Sequence, residues 1–378
     1  MSSLFDILIG GTSAQDFDAD IVELEVEENA DLPGAFSLTL PVATTSGGDY
    51  DTPSDSRLAP LSNIAVTAQA QDGIIHCLID GYVLAQQIHL DTGTAKSTMK
   101  VWGQDASWLM NTTEQAKEWV NVTDGTAANT IFSNYGFTPD PTNLDDDSPV
   151  HSDDGATLMQ RASDAQFLRQ LARRGRKWFR VFCTDTPGQR TGYFATPNLS
   201  ADPVITLVLN DAAAANIASI DISLDVMRPS AVNAFQALFS DADADTSGAG
   251  GNFTADGDGL PAMSDQGLAA LTQSPVTALL TTTAADAGTI TQRANALLRD
   301  AGWFIRCEGA TDASLLGSIL RVGNVVAVNA AGAIHSGNYL VWSVRHKITA
   351  EKHEMHFVLV RNAMGTPPPS SPSGSLSL

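Results

Sequence analysis

Met159–Cys183 reads MQRASDAQFLRQLARRGRKWFRVFC, a helix, a stop and a strand in direct succession. Ser163 or Asp164 can cap the helix, because a short side-chain oxygen accepts one of the backbone N–H groups that the first turn leaves unpaired. Phe167, Leu168, Leu171 and Ala172 then recur at helical spacing and make one buried stripe. Arg169, Arg173 and Arg174 fall near the C-terminal end, where the macrodipole favours cations, and Gly175 is placed to take the left-handed conformation that ends a helix. After the stop, Trp178, Arg180 and Phe182 alternate with Phe179, Val181 and Cys183, which predicts a mostly buried strand.

The pattern differs on either side. From Phe5 to about Trp102 short alternating segments are divided by turns: ILIGG, ADIVELEVEEN, AFSLTLPVA, NIAVTAQA, IIHCLIDGYVLAQQIHL and KSTMKVWGQ. In DIVELEVEE, Val22, Leu24 and Val26 alternate with Glu23, Glu25 and Glu27, one dry face and one wet. Asp31, Pro33 and Gly34 make a turn, and Ala35–Leu40 return as the hairpin partner. Asp80 and Gly81 are expected to break the strand between Ile74 and Leu90, at a bulge or corner. On pattern alone a sandwich and a small barrel fit equally.

From Gln104 to about Asn210 the period changes. Ser107–Met110 and Thr126–Tyr135 read as helical, the second capped by Thr123 or Asp124 and ended near Gly136. Thr191–Ala195 and Val204–Leu209 are expected to partner the strand after Gly175. Strands resume at Ile217, with one helix over Thr283–Ala301 stopped by Gly302, then strands through Trp303–Cys307, Ser318–Val328, Gly337–His346 and Lys352–Arg361. The final GTPPPSSPSGSLSL cannot bury enough apolar surface to fold alone. The expected organisation is β-rich α+β: a β module over 1–103, an inserted α/β domain over 104–210, a second β module over 211–363 with a flexible loop near 241–260, and a disordered tail over 364–378.

With 378 residues the chain exceeds what one core holds, and 43% hydrophobic content is ordinary for globular proteins. The net charge of −22 and pI near 4.4 argue against stable nucleic-acid binding, which needs clustered Lys and Arg. The aspartate-rich bias fits a saline host and turn-rich β structure alike. No apolar run is long enough to span a membrane, and MSSLFDILIGG lacks the basic start of a signal peptide, so synthesis in a cytoplasm is expected. Cys77, Cys183 and Cys307 lie far apart in apolar strands and are expected as buried reduced thiols.

Chemistry-bearing residues must meet spacing rules to form a site. Asp241, Asp243 and Asp245 match the odd positions of an EF-hand, but Thr246 stands where its glycine belongs and Asn252 where its bidentate glutamate belongs. The run of aspartates in PDPTNLDDDSPVHSDDG reads as solvated loop. His353, Glu354 and His356 have the wrong spacing for a helical zinc motif and fall in a strand. Gly257, Gly259 and Ala262 lack a leading strand and contain Pro261, so no dinucleotide fingerprint exists there. No G-x-S-x-G elbow or phosphate-cradling loop occurs. No enzyme activity, cofactor or metal is expected. The basic cluster Arg161, Arg169, Arg173, Arg174, Arg176, Lys177 and Arg180 reads either as a solvated helix face or as a contact to acidic neighbours, with Arg169, Arg173, Arg174 and Lys177 as the candidate contact residues.

Two groups of residues resemble a known family. Gln160, Ser163, Asp164, Phe167, Leu168, Leu171, Ala172 and Gly175, ahead of Trp178 and Phe179, form the first. Gly337, Tyr339, Val341, Val344, His346, Phe357, Arg361 and Asn362 form the second. In that order they resemble the baseplate hub proteins of contractile tails, the family of phage late control protein D and the hub part of VgrG. The resemblance implies two small β-barrel modules flanking the α/β domain, and a homotrimer whose six barrels ring a central axis. It implies a symmetry adapter between a hexameric tail tube and a trimeric spike, with other baseplate proteins as further partners, assembled into a phage or phage-like particle. The spike is then expected as a separate polypeptide. The alternatives are a carbohydrate-binding adhesin and a baseplate cell-wall hydrolase.

Overall fold

The computed structural model describes residues 4–93, 96–145, 147–152, 157–236, 250–272, 274–282 and 287–365. Asp241, Asp243, Asp245 and the tail from 366 lie outside them. The N-terminal strands are β1 (Leu4–Ile9), β2 (Glu23–Asn29), β3 (Ala35–Pro41), β4 (Asn63–Gln69), β5 (Ile75–His89) and β6 (Thr98–Asp105). Alternation holds in β2: Leu24 and Val26 are buried, and β2 pairs with β3 as the hairpin. Val22 precedes the strand and is 49% exposed, not buried. Strand β5 is not broken at Asp80 and Gly81. It runs through them, and the bulges flank them: Leu78 is the extra residue between the pairs Ile79–Val66 and Cys77–Thr67, and Leu84 between Val83–Gly103 and Ala85–Trp102. Gly81 serves close approach instead, since a Cβ there would lie 2.0 Å from the Gln104 carbonyl oxygen.

The inserted segment holds β7 (Glu114–Trp119), α1 (Asp124–Asn134), β8 (Leu158–Ser163), α2 (Asp164–Gly175), β9 (Trp178–Cys183) and β10 (Arg190–Ala195). Ser163 caps α2, its Oγ accepting the Gln166 N–H at 3.3 Å, and Thr123 caps α1. The left-handed residue after α2 is Arg176, φ 50°, and not Gly175. Gly175 closes the last helical turn where a Cβ would come within 3.3 Å of the Gln292 amide, so its missing side chain admits a neighbouring helix. Ser107–Met110, expected as helix, lies in a 3₁₀ segment, Ala106–Asn111.

The remainder forms β11 (Ile205–Val208), β12 (Ser219–Leu224), β13 (Ala231–Gln236), β14 (Gly250–Thr254), β15 (Thr277–Thr282), α3 (Ala287–Ala301), β16 (Ile305–Asp312), β17 (Val325–Asn329), β18 (Gly337–Ile348) and β19 (His353–Arg361). Strand β11 does not pair with β9 as expected. It runs parallel to β17, while β10 alone takes the free side of β9 as an antiparallel partner.

One 13-stranded sheet carries both β segments, in the order β12-β16-β19-β18-β2-β3-β6-β5-β4-β1 and then the two-residue strand Thr12–Ser13, with β17 and β11 branching from β18. The two halves meet where β18 pairs with β2, Val344 opposite Glu28. Among the described residues the ladders form this open path rather than two closed rings. One apolar core runs beneath the joined sheet, a second fills the inserted segment, and a small third sits between α3 and the β13–β15 sheet. The chain is therefore β-rich α+β.

Candidate functional site

The side chain of Glu28 shares the inward phase of Leu24 and Val26, so a carboxylate enters the junction of the sheet with the inserted segment at 5% exposure. Arg321 Nε donates to Glu28 Oε1 at 2.6 Å, and Arg180 Nη2 to Oε2 at 3.3 Å. Burial raises the carboxyl pKa, but the two guanidiniums and His346 more than offset it and hold the group down at about 2. Arg180 comes from β9 and Arg321 from the run before β17, so the cluster ties three parts of the chain together. Above it opens a cavity of about 430 Å³, walled by Trp178, Arg180, Tyr193, Arg321 and Cys183.

Behind Glu28, His346 Nδ1 lies 3.0 Å from His353 Nε2, both rings buried. Burial, and for His353 the neighbouring His346, lower both pKa values, His353 to about 2. His356 and Glu354 point outward, so His353 and His356 do not converge. A histidine that stays neutral when folded but takes a proton when unfolded stabilises the fold above its ordinary pKa of 6.5, and that stability falls as the pH drops below it. Glu28, depressed from 4.5, adds to this below about pH 4.5, while Asp18, raised by burial to about 6, opposes it as the pH falls through 6. The His353 contribution to the unfolding free energy measured in urea is expected to fall from pH 6.5 to 4.5, by up to about 1 kcal/mol per pH unit. His353→Gln, which keeps hydrogen-bonding capacity but cannot titrate, flattens that limb; an unchanged slope would refute the assignment.

A second buried cluster centres on Asp124 at the start of α1. His151 Nε2 lies 2.8 Å from its Oδ1, Arg174 Nη2 donates at 2.8 Å, and Gln292 Nε2 donates to Oδ2 at 3.2 Å. This fixes α1, α2 and α3 to one carboxylate, whose pKa burial raises but His151 and Arg174 bring below the ordinary value. Of the basic residues singled out in the sequence, Arg174 is thus held inside the chain. Lys177 is buried, 3.6 Å from Asp147 and over the Phe194 ring. Arg169 is half-buried over Phe179, Arg176 pairs with Asp300, and Arg173 is exposed. The cluster does not form one open basic face.

The residues behind the family resemblance are structural. Gln160 accepts from Trp119 Nε1 at 3.0 Å and donates to Asp164 Oδ1 at 2.6 Å, while Tyr135 donates to Asp164 Oδ2 and Ser163 to Asn111. Arg361, fully buried, donates to the Ser336 and Gly365 carbonyls and stacks over Tyr339, and Asn362 holds the Leu260–Met263 loop. Among the described residues no group of three or more His, Cys, Asp or Glu is placed to hold a metal, and no helix is long and apolar enough to cross a membrane.

Cys77 and Cys183, expected as free thiols, are joined in a disulfide; only Cys307 is a buried free cysteine. They are distant in sequence, but β9 lies against β5, with Cys77 N–H donating to the Thr184 carbonyl at 2.9 Å. Sequence spacing carries no trace of that contact.

No protein-family model matches the chain, and no curated protein sequence matches it. Solved structures do. The 43 kDa tail protein of prophage MuSo2 from Shewanella oneidensis superposes with TM-score 0.67 at 14% identity, over 96% of this chain and 100% of that one. A tail protein from Neisseria meningitidis MC58 gives 0.66 at 13%, over 97% and 100%. The E. coli c3393 protein, described as a type VI secretion component similar to the T4 bacteriophage tail proteins gp27 and gp5, gives 0.54 at 12%, over 96% and 79%. The fold of this chain is that of phage-tail proteins, matched over nearly its whole length.

Proposed function

We propose that this chain is a structural subunit of the baseplate of a phage tail or phage-like injection machine, and that it acts there as a homotrimeric hub between tail tube and spike. The observation that carries the reading is the fold shared with two tail proteins over 96–97% of this chain and the whole of theirs. In this reading the two β segments, joined into one sheet through β2 and β18, serve as two tube-facing units per copy, so three copies offer six. A piece of that kind joins a sixfold tube to a threefold spike without breaking either symmetry. The net charge of −22 supports an acidic lumen that repels passing DNA. The role is mechanical rather than catalytic, and the chain is made in a bacterial cytoplasm before joining the particle.

Co-expression with the tube protein of the same particle tests the reading. A stable complex containing both chains is expected, and a hub chain that never co-sediments with tube, while binding glycan, would favour the adhesin instead. Within this reading Arg173 is the exposed one of the four candidate contact residues and so the one placed to meet an acidic neighbour. Arg173→Glu is expected to weaken assembly at least several-fold at low salt while leaving the melting temperature within about 2 °C, because exposed ion pairs add little to stability. Unchanged assembly at low salt would remove Arg173 from the interface.

A further inference from the structure

The disulfide crosses the boundary between the sheet and the inserted segment, closing a sequence separation of 106 residues between β5 and the end of β9. The same boundary is held without sulfur. Thr184 O accepts from Cys77 N–H at 2.9 Å and from Arg321 Nη1 at 3.3 Å, and Cys183 O accepts from Arg321 Nη2 at 3.2 Å. Arg190 grips Asp80 with two nitrogens at 2.7 and 3.1 Å, and Gly188 N–H donates to the same carboxylate at 2.8 Å. These contacts join the same two strands beside the cysteines and involve neither sulfur. Cys77 and Cys183 are themselves buried, at 0% and 2% exposure, but Cys183 and Thr184 form part of the wall of the 430 Å³ cavity, large enough for a small thiol or disulfide. Cys307 is wholly buried, with its thiol pushed up to about 11 by that burial.

We propose that Cys77 and Cys183 are a redox modification site, a latch that closes on an already folded junction by exchange with a low-molecular-weight disulfide entering through the cavity. The Cys183 thiolate attacks one sulfur of the oxidant, forming a mixed disulfide and releasing one small thiolate. The Cys77 thiolate then attacks the Cys183 sulfur, closing the bond and releasing the second small thiolate. The chain gives up two electrons to the oxidant, and its two thiol protons pass to the released thiolates, so the oxidant leaves as two thiols. The chain then folds and assembles with free thiols, and gains a covalent tie between sheet and insertion once it meets an oxidising medium.

Purified full-length protein kept under reductant, exchanged into oxidised glutathione, then denatured and alkylated, tests this by mass. All three cysteines are expected to be alkylated before oxidation, and Cys307 alone afterwards. The oxidised chain should melt higher than the reduced one by on the order of 5 °C, the effect of closing a long loop in a chain of this size. Cys77→Ala should fold and assemble as the reduced wild type does, with a melting temperature that oxidant does not move. Three alkylated cysteines after oxidation of the folded protein, a reduced chain that is unfolded, or equal melting temperatures would each overturn the proposal. Should Cys77→Ala fail to fold, the alkylation count and melting of wild type still decide it, with Cys183→Ser as the second variant.

Discussion

Glu28→Leu is expected to lower the free energy of unfolding by about 3–5 kcal/mol, the effect of removing one partner from a buried ion cluster. The loss does not come from the missing attraction alone. Arg180 and Arg321 stay buried, at 11% and 10% side-chain exposure, with the anion between them gone. Leucine fills much of the volume and offers no acceptor, so both guanidiniums must move toward water and pull β9 and the run before β17 out of place. Urea denaturation measures this. The control is Glu25→Gln on the wet face of the same strand, paired with Lys347 at 3.3 Å and half-exposed, where less than about 1 kcal/mol is expected. Equal effects at the two positions would show that the buried cluster does not hold the junction.

Gly337→Ala is expected to be the second severe change, although it adds a single methyl group. Gly337 has φ +139°, a conformation that L side chains rarely adopt, at a cost of about 1–3 kcal/mol for a residue forced to hold it. The added Cβ would also lie 2.6 Å from Nη2 of Arg361, which sits fully buried and holds the Ser336 and Gly365 carbonyls. Both terms act on one lock, so a loss of about 2–4 kcal/mol in urea is expected. Arg361→Lys separates them: it clears part of the clash in the double variant but cannot make both fork contacts. If Gly337→Ala melts as wild type does, the lock is not rigid and the account of the second signature fails.

These two positions show what was legible in the sequence. Gly337, Tyr339, Arg361 and Asn362 stood out together, and the structure gathers Gly337 and Tyr339 around the buried Arg361 while Asn362 holds the adjoining Leu260–Met263 loop. The helix Asp164–Gly175 and its Ser163 cap were also readable, because capping and helical spacing are local. Glu28 was in reach but missed: its phase matches Leu24 and Val26, yet a glutamate in an acidic strand invites the reading of a wet face. What decides otherwise is Arg180 and Arg321, both far away in the chain. The same holds for Arg174, whose partner Asp124 was visible only as a helix cap, and for Cys77 and Cys183. Strand β11 was misplaced because a short apolar run carries no mark of its partner, and here that partner is β17. Local chemistry announced the elements; pairings over long separations required the fold.

Light scattering on the purified chain tests its assembly most directly. A hub of the kind proposed should give the mass of three 39.8 kDa chains, stable on dilution and joined by one spike trimer when the spike protein is added. A chain that stays monomeric at assembly concentrations, with spike present, would contradict the account.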